Sequence, residues 1–107
     1  MGSIAQVHVE DTGVYLYTHW DSYELPTIVA RALGRGERWD DPEYLARIIF
    51  SEMIKDDLGG ETGYGIGTSA HFDVDYDPIT IDCGTQTVSG GQLGKAMPFQ
   101  QYVELYT

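Results

Sequence analysis

Residues 4–9, "IAQVHV", and 14–20, "VYLYTHW", alternate with a period of two around the turn sequence "EDTG", and so predict two paired strands. With an even-length loop, Val7 and Val9 share a face with Val14, Leu16 and Thr18, while His8, Tyr15, Tyr17 and His19 share the other. Trp20 falls in phase with the apolar face and is expected in the core. Both faces of the second strand are substantial, as in an interior strand.

From Glu24 to Leu33 the period becomes helical. Leu25, Ile28, Val29, Ala32 and Leu33 form one apolar stripe, with Pro26 in the first turn and Gly34 and Gly36 as stops. A second helix starts at "WDDPEY", where Asp41 suits an N-cap and Pro42 the first helical position. Its buried stripe is Leu45, Ile48, Ile49 and Met53, and "DDLGG" ends it.

Period two returns in "GETGYGIGTSAHFDVDYDPITIDCG". Phe72, Val74 and Tyr76 alternate with Asp73, Asp75 and Asp77. Beyond a turn at Asp77-Pro78, Ile79, Ile81 and Cys83 alternate with Thr80 and Asp82, which predicts a hairpin with one apolar and one acidic face. "VSGGQLGK" reads as a loop, and "MPFQQYVELY" as a short C-terminal helix with Pro98 near its start. The order β-β-α-α-β-β-α predicts one α+β domain over residues 1–107. An antiparallel sheet of about four strands would carry two main helices on one face and the short helix at its end.

Composition narrows the function classes. The chain of 107 residues has six Lys plus Arg against seventeen Asp plus Glu, for a net charge of −11. That excess argues against nonspecific binding to nucleic acid or to an anionic membrane. It suits solubility, or a negative surface that occupies a basic protein partner. No apolar run is long enough to span a bilayer, and "MGSIAQVHVE" has neither the basic flank nor the apolar segment of a signal peptide. The single Cys83 fits a reducing cytoplasm.

Several motifs invite chemistry and have simpler explanations. "GYGIGTS" lacks the spacing and the Lys of a phosphate loop; its glycines form a bare stripe on one strand face, open to a packed ring or a ligand. "DVDYD" lines up three carboxylates without the pattern of a calcium loop, so a solvated acidic face accounts for it. His8, His19 and His71 lack zinc spacing, and no nucleophile signature accompanies His19 and Asp21. Arg31 and Arg35 suit the C-terminal end of the first helix, and Arg47 lies one turn after Glu43. Arg38 precedes Trp39, a pairing that can hold a phosphate while the indole stacks on a base. Its structural alternative is a bridge to Asp40 or Asp41 with Trp39 capping the core.

In "YLYTHWDSYELP", "RWDDPEYLARIIFSEMI" and "ETGYGIGT" the chain resembles a group of small phage, prophage and bacterial proteins without an established activity, over most of residues 7–83. The resemblance implies a cytoplasmic setting and a role in phage–host conflict, where small proteins inhibit host defence proteins or sequester cyclic-nucleotide immune signals. It carries no functional residue over. The leading expectation is a non-enzymatic, homo-oligomeric binding protein that needs no cofactor or metal and captures a small nucleotide-like ligand. Its aromatic set includes Trp20 and Tyr23, and its binding residues are Tyr15, Tyr17, His19, Asp21, Arg38, Trp39, Arg47 and Tyr64. In that arrangement Tyr17, His19 and Asp21 share a pocket with Arg38 and Trp39. The rival is an acidic inhibitor that engages a basic host protein through Asp73, Asp75, Asp77 and Asp82. A small hydrolase is the third.

Overall fold

The computed structural model describes residues 4–19, 23–60, 63–69, 77–91, 93 and 95–107. The first two strands are β1 (Ala5–Val9) and β2 (Tyr15–Thr18), paired antiparallel with Val7 opposite Leu16 and His8 opposite Tyr15. The faces are those the alternation predicts: Val7, Val9, Leu16 and Thr18 are buried together. The connecting turn is fixed locally. Thr12 donates its hydroxyl to the Val9 carbonyl (2.6 Å) and accepts the Val14 N–H (3.3 Å), while Asp11 and Gly13 take positive φ.

Helix α1 (Leu25–Leu33) buries Leu25, Ile28, Val29, Ala32 and Leu33, with Pro26 in its first turn. Helix α2 (Pro42–Ile54) starts as predicted, because the Asp41 carboxylate accepts the Tyr44 N–H at 3.4 Å. It buries Leu45, Ile48, Ile49 and Met53. Strand β3 (Tyr64–Gly67) then pairs antiparallel with β2, setting Gly65 opposite Tyr17 and Tyr64 opposite Thr18.

The second half departs from the expected hairpin. Strand β4 (Asp77–Asp82) runs straight through Pro78 and lies parallel to β1, with Val7 opposite Ile79. Its antiparallel partner is β5 (Thr87–Gly91), part of the segment expected to be a loop. Pro78 is tolerated because the register shifts between Asp77 and Thr80, a bulge that spares the missing N–H. Gly90 crosses that bulge at φ +80°, and a Cβ there would overlap the Pro78 carbonyl, so only glycine fits. The turn between β4 and β5 is held by the Asp82 carboxylate, which accepts the N–H groups of Gly84 (2.9 Å) and Thr85 (3.2 Å). The other expected arm of that hairpin, including Asp73 and Asp75, lies outside the described residues.

A two-residue strand, β6 (Met97–Pro98), edges the sheet and leads into α3 (Phe99–Tyr106), the expected C-terminal helix. Among the described residues the sheet thus has six strands rather than four, in the order β3-β2-β1-β4-β5-β6, and is mixed rather than wholly antiparallel. The class is α+β. One hydrophobic cluster joins the three helices to the sheet face carrying Val7, Val9, Leu16, Ile79, Ile81 and Val88. Tyr102 ties the helical layer together: its ring is 1 % exposed and its hydroxyl donates to the Pro26 carbonyl at 3.0 Å. Burial of that ring, with the nearby Tyr106 second, holds the phenol above its ordinary pKa. Among the described residues, no helix is long and apolar enough to cross a membrane.

Candidate functional site

The residues expected to line one pocket are divided between the two faces of the sheet. Tyr15 and Tyr17 project from the face opposite the helices, by strict alternation with the buried Leu16 and Thr18. Tyr15 stacks on His8 (centroids 4.3 Å apart, planes 16° apart), and His8 Nδ1 donates to the Val14 carbonyl at 2.9 Å. Both rings therefore brace the β1–β2 hairpin. Tyr17 fills the bare stripe predicted from "GYGIG": a Cβ on Gly65 would collide with its Oη and Cζ. The exposed His19 meets Tyr17 edge-on at 5.5 Å, and its backbone N–H donates to Gly63.

Arg38 and Trp39 belong to the helical layer. Trp39 Nε1 donates to the Leu33 carbonyl at 2.9 Å, and its ring packs edge-on against Phe99 at 5.3 Å. Trp39 is thus a half-buried bracket between the end of α1 and the start of α3. Arg38 sits over the Tyr44 ring at 4.6 Å, 3.8 Å from the Asp41 carboxylate. That is the structural alternative for this pair. The expected pocket uniting Tyr17 and His19 with Arg38 and Trp39 is not formed, because the sheet lies between them. Arg47 is exposed on α2 and pairs with no carboxylate among the described residues. Trp20 and Asp21 lie outside the described residues, as does the side chain of Asp77. Tyr23 is 91 % exposed, and Asp82 is occupied by its turn.

Tyr64 is the exception. It lies on the helical face of β3 and borders a cleft of about 300 Å³ between that strand, the start of α1 and the end of α2. Ile28 and Met53, both buried, complete its apolar floor. One wall carries Glu24 and Arg31, 4.0 Å apart. The other carries Glu52, Lys55, Asp56 and Asp57. Glu52 is the electrostatic centre: its side chain is 9 % exposed and meets Arg35 at 2.5 Å and Lys55 at 3.2 Å. Burial pushes its carboxyl upward, but the hydrogen bonds and charges of Arg35 and Lys55 outweigh burial and hold it below its ordinary value. Asp57 is seated by a turn in which Gly60 donates to the Asp57 carbonyl at 3.1 Å, and a Cβ on Gly60 would overlap the Asp57 carboxylate.

Three of the six cations in this strongly acidic chain, Arg31, Arg35 and Lys55, thus gather at or beside one cleft with an aromatic side chain in it. Local patterning signals only half of this. Ile28 and Arg31 are one helical turn apart on α1, while Lys55 and Asp56 follow directly on the end of α2, three and four residues after Glu52. That these two groups converge on Tyr64 depends on tertiary packing. No family model, curated protein or solved structure matches the chain.

Proposed function

We propose that this is a non-enzymatic binding protein that captures a small nucleotide-like ligand, and that the cleft between α1, α2 and β3 is its site. The observation that carries this is that Arg31, Arg35 and Lys55, three of the six cations, stand at or beside a cleft bordered by Tyr64, on a lining that also holds Glu24, Glu52, Asp56 and Asp57. Tyr64 is the aromatic side chain on the cleft lining that a base would meet, and the two cations there, Arg31 and Lys55, would offer charged donors to phosphate oxygens. Both cations are half-exposed and held by carboxylates at the cleft rim, so an anionic ligand exchanges one set of ion pairs for another. The resemblance to phage and prophage proteins supports a role in which such capture removes a host signal. The test is mass spectrometry of small molecules released when protein purified from its native host is denatured. A phosphorylated, base-containing compound at near-stoichiometric yield supports the proposal. Absence of any such compound, together with no binding of added nucleotides, refutes it.

A second reading, an acidic inhibitor of a basic host protein, is favoured by a different observation. The chain carries seventeen Asp plus Glu against six Lys plus Arg, which leaves its surface predominantly negative. Such a surface would bind its partner with a steep loss of affinity as salt rises. Binding to a basic host protein that is unchanged between low and high salt would refute it.

A further inference from the structure

Three of the five large apolar side chains left exposed among the described residues adjoin one cleft, that between α1, α2 and β3. Tyr23 and Leu58 are the chain neighbours of Glu24 and Asp57 on its lining, and Leu58 is 77 % exposed. Ile66 shares a strand face with Tyr64 and lies opposite the buried Leu16, yet it is 56 % exposed, so the helical layer leaves it uncovered. Exposed apolar side chains scattered singly mean little. Several beside one concavity with a buried apolar floor, here Ile28 and Met53, mark a surface for a protein partner. We infer that the cleft and its apolar rim dock a short segment of a partner protein. One Lys or Arg side chain of that segment enters the cleft, and its apolar neighbours cover Tyr23, Leu58 and Ile66. The inference rests on the second reading above, a basic partner, and gives that reading a site.

Charge identifies the occupant. The lining carries four carboxylates, Glu24, Glu52, Asp56 and Asp57, against two cations, Arg31 and Lys55. Both cations are already engaged, Arg31 by Glu24 at 4.0 Å and Lys55 by Glu52 at 3.2 Å. Glu52 is offset further by Arg35, which leaves the excess at Asp56 and Asp57. Those two have no cation partner among the described residues, so an incoming positive side chain finds acceptors without displacing an existing pair. The apolar floor suits the methylene stem of Lys or Arg, which packs along Ile28 and Met53 while the charged head stays at the carboxylates. A wholly apolar segment would cover the rim and gain nothing from those carboxylates.

The test is selection of yeast-displayed random dodecapeptides against the full chain, followed by fluorescence anisotropy of the best synthetic peptide at low and high salt. Selected sequences should share a Lys or Arg flanked by apolar residues, and binding should weaken as salt rises. Asp56→Asn and Asp57→Asn together should cost about tenfold or more, the value of a charged hydrogen bond. Leu58→Ser should cost about tenfold, the value of one apolar side chain no longer covered. Replacing the peptide's basic residue by norleucine should cost as much as the paired Asp changes. Leu105→Ser, at another exposed apolar residue, on α3, should change nothing. The altered side chains are exposed or at the cleft rim, and unchanged circular dichroism melts confirm that each variant folds. Basic peptides that bind indifferently to both the Asp and the Leu58 changes would overturn the site while leaving the second reading in place. Selected peptides without a basic residue, or no enrichment at all, would overturn the inference outright. The second reading then fails only if the whole partner's binding is also insensitive to salt.

Discussion

Replacing Trp39 separates a structural aromatic from a ligand-stacking one. The indole donates one hydrogen bond to Leu33 and packs edge-on against Phe99. Trp39→Phe keeps most of the apolar ring and loses the N–H. The Leu33 carbonyl still accepts the Gly36 N–H at 3.0 Å, so no acceptor is orphaned and the cost should be small, about 0.5–1.5 kcal/mol. Trp39→Ala also removes the aromatic pair, itself about 0.5–1.5 kcal/mol, and leaves a void between α1 and α3. Because the indole is half-buried, the total should fall near the lower end of the range for Trp→Ala, about 3 kcal/mol. Urea unfolding followed by far-ultraviolet circular dichroism measures both, and avoids relying on the fluorescence that the substitution removes. The midpoint should fall in the order wild type, Trp39→Phe, Trp39→Ala, with the slope unchanged. Nucleotide affinity of the Phe variant should match wild type. A Trp39→Ala protein within about 0.5 kcal/mol of wild type would refute the bracket between the two helices.

Other expected outcomes follow from single side chains. Ile49, fully buried on α2, should cost about 2–5 kcal/mol on truncation to Ala; a urea midpoint that barely moves would put the helix stripe on the wrong face. Glu52 has a folded pKa below its ordinary 4.5, so its stabilising contribution is complete above about pH 4.5 and is lost as pH falls through the lower folded value. Glu52→Gln should therefore cost about 1 kcal/mol at pH 7, a figure limited by solvent screening of the half-exposed Arg35 and Lys55. The gap to wild type should narrow as pH falls below 4.5; a constant gap would contradict the ion-pair origin. Cys83 is buried, and burial, reinforced by Asp82 and other nearby carboxylates, pushes its thiol up to about 11. It should resist alkylation at pH 8 until the protein unfolds; labelling of the native protein at the rate of a free thiol would contradict that burial.

The first half of the fold is readable in the chain because its signals are local. Alternation sets the faces of β1 and β2, a Pro-led apolar stripe sets α1, and the Asp41-Pro42 pair starts α2. Each of these is decided within a few residues. The second half is not readable in the same way. Pro78 looks like a turn residue and sits in a strand, because a bulge opposite Gly90 removes the need for its N–H. "VSGG" looks like a loop and is a strand, because Val88 packs opposite Ile81 and is fully buried. The parallel pairing of β1 with β4 joins residues some seventy apart, beyond the reach of any window. The site follows the same division. Parity along β2 turns Tyr15 and Tyr17 away from the helices. Among the described residues expected from sequence to bind a ligand, Tyr64 alone borders the cleft. Arg31 hid behind an adequate explanation at a helix end, and only packing shows it facing Lys55 across a cavity.

Amide chemical-shift mapping during titration with adenosine 5′-monophosphate would locate the binding site without any substitution. Shifts should concentrate at Ile28, Arg31, Met53, Lys55, Asp57 and Tyr64, and leave His8, Tyr15 and Tyr17 on the opposite face still. Shifts centred on Tyr15, Tyr17 and His19, or none at saturating nucleotide, would contradict the assignment of the cleft as the site.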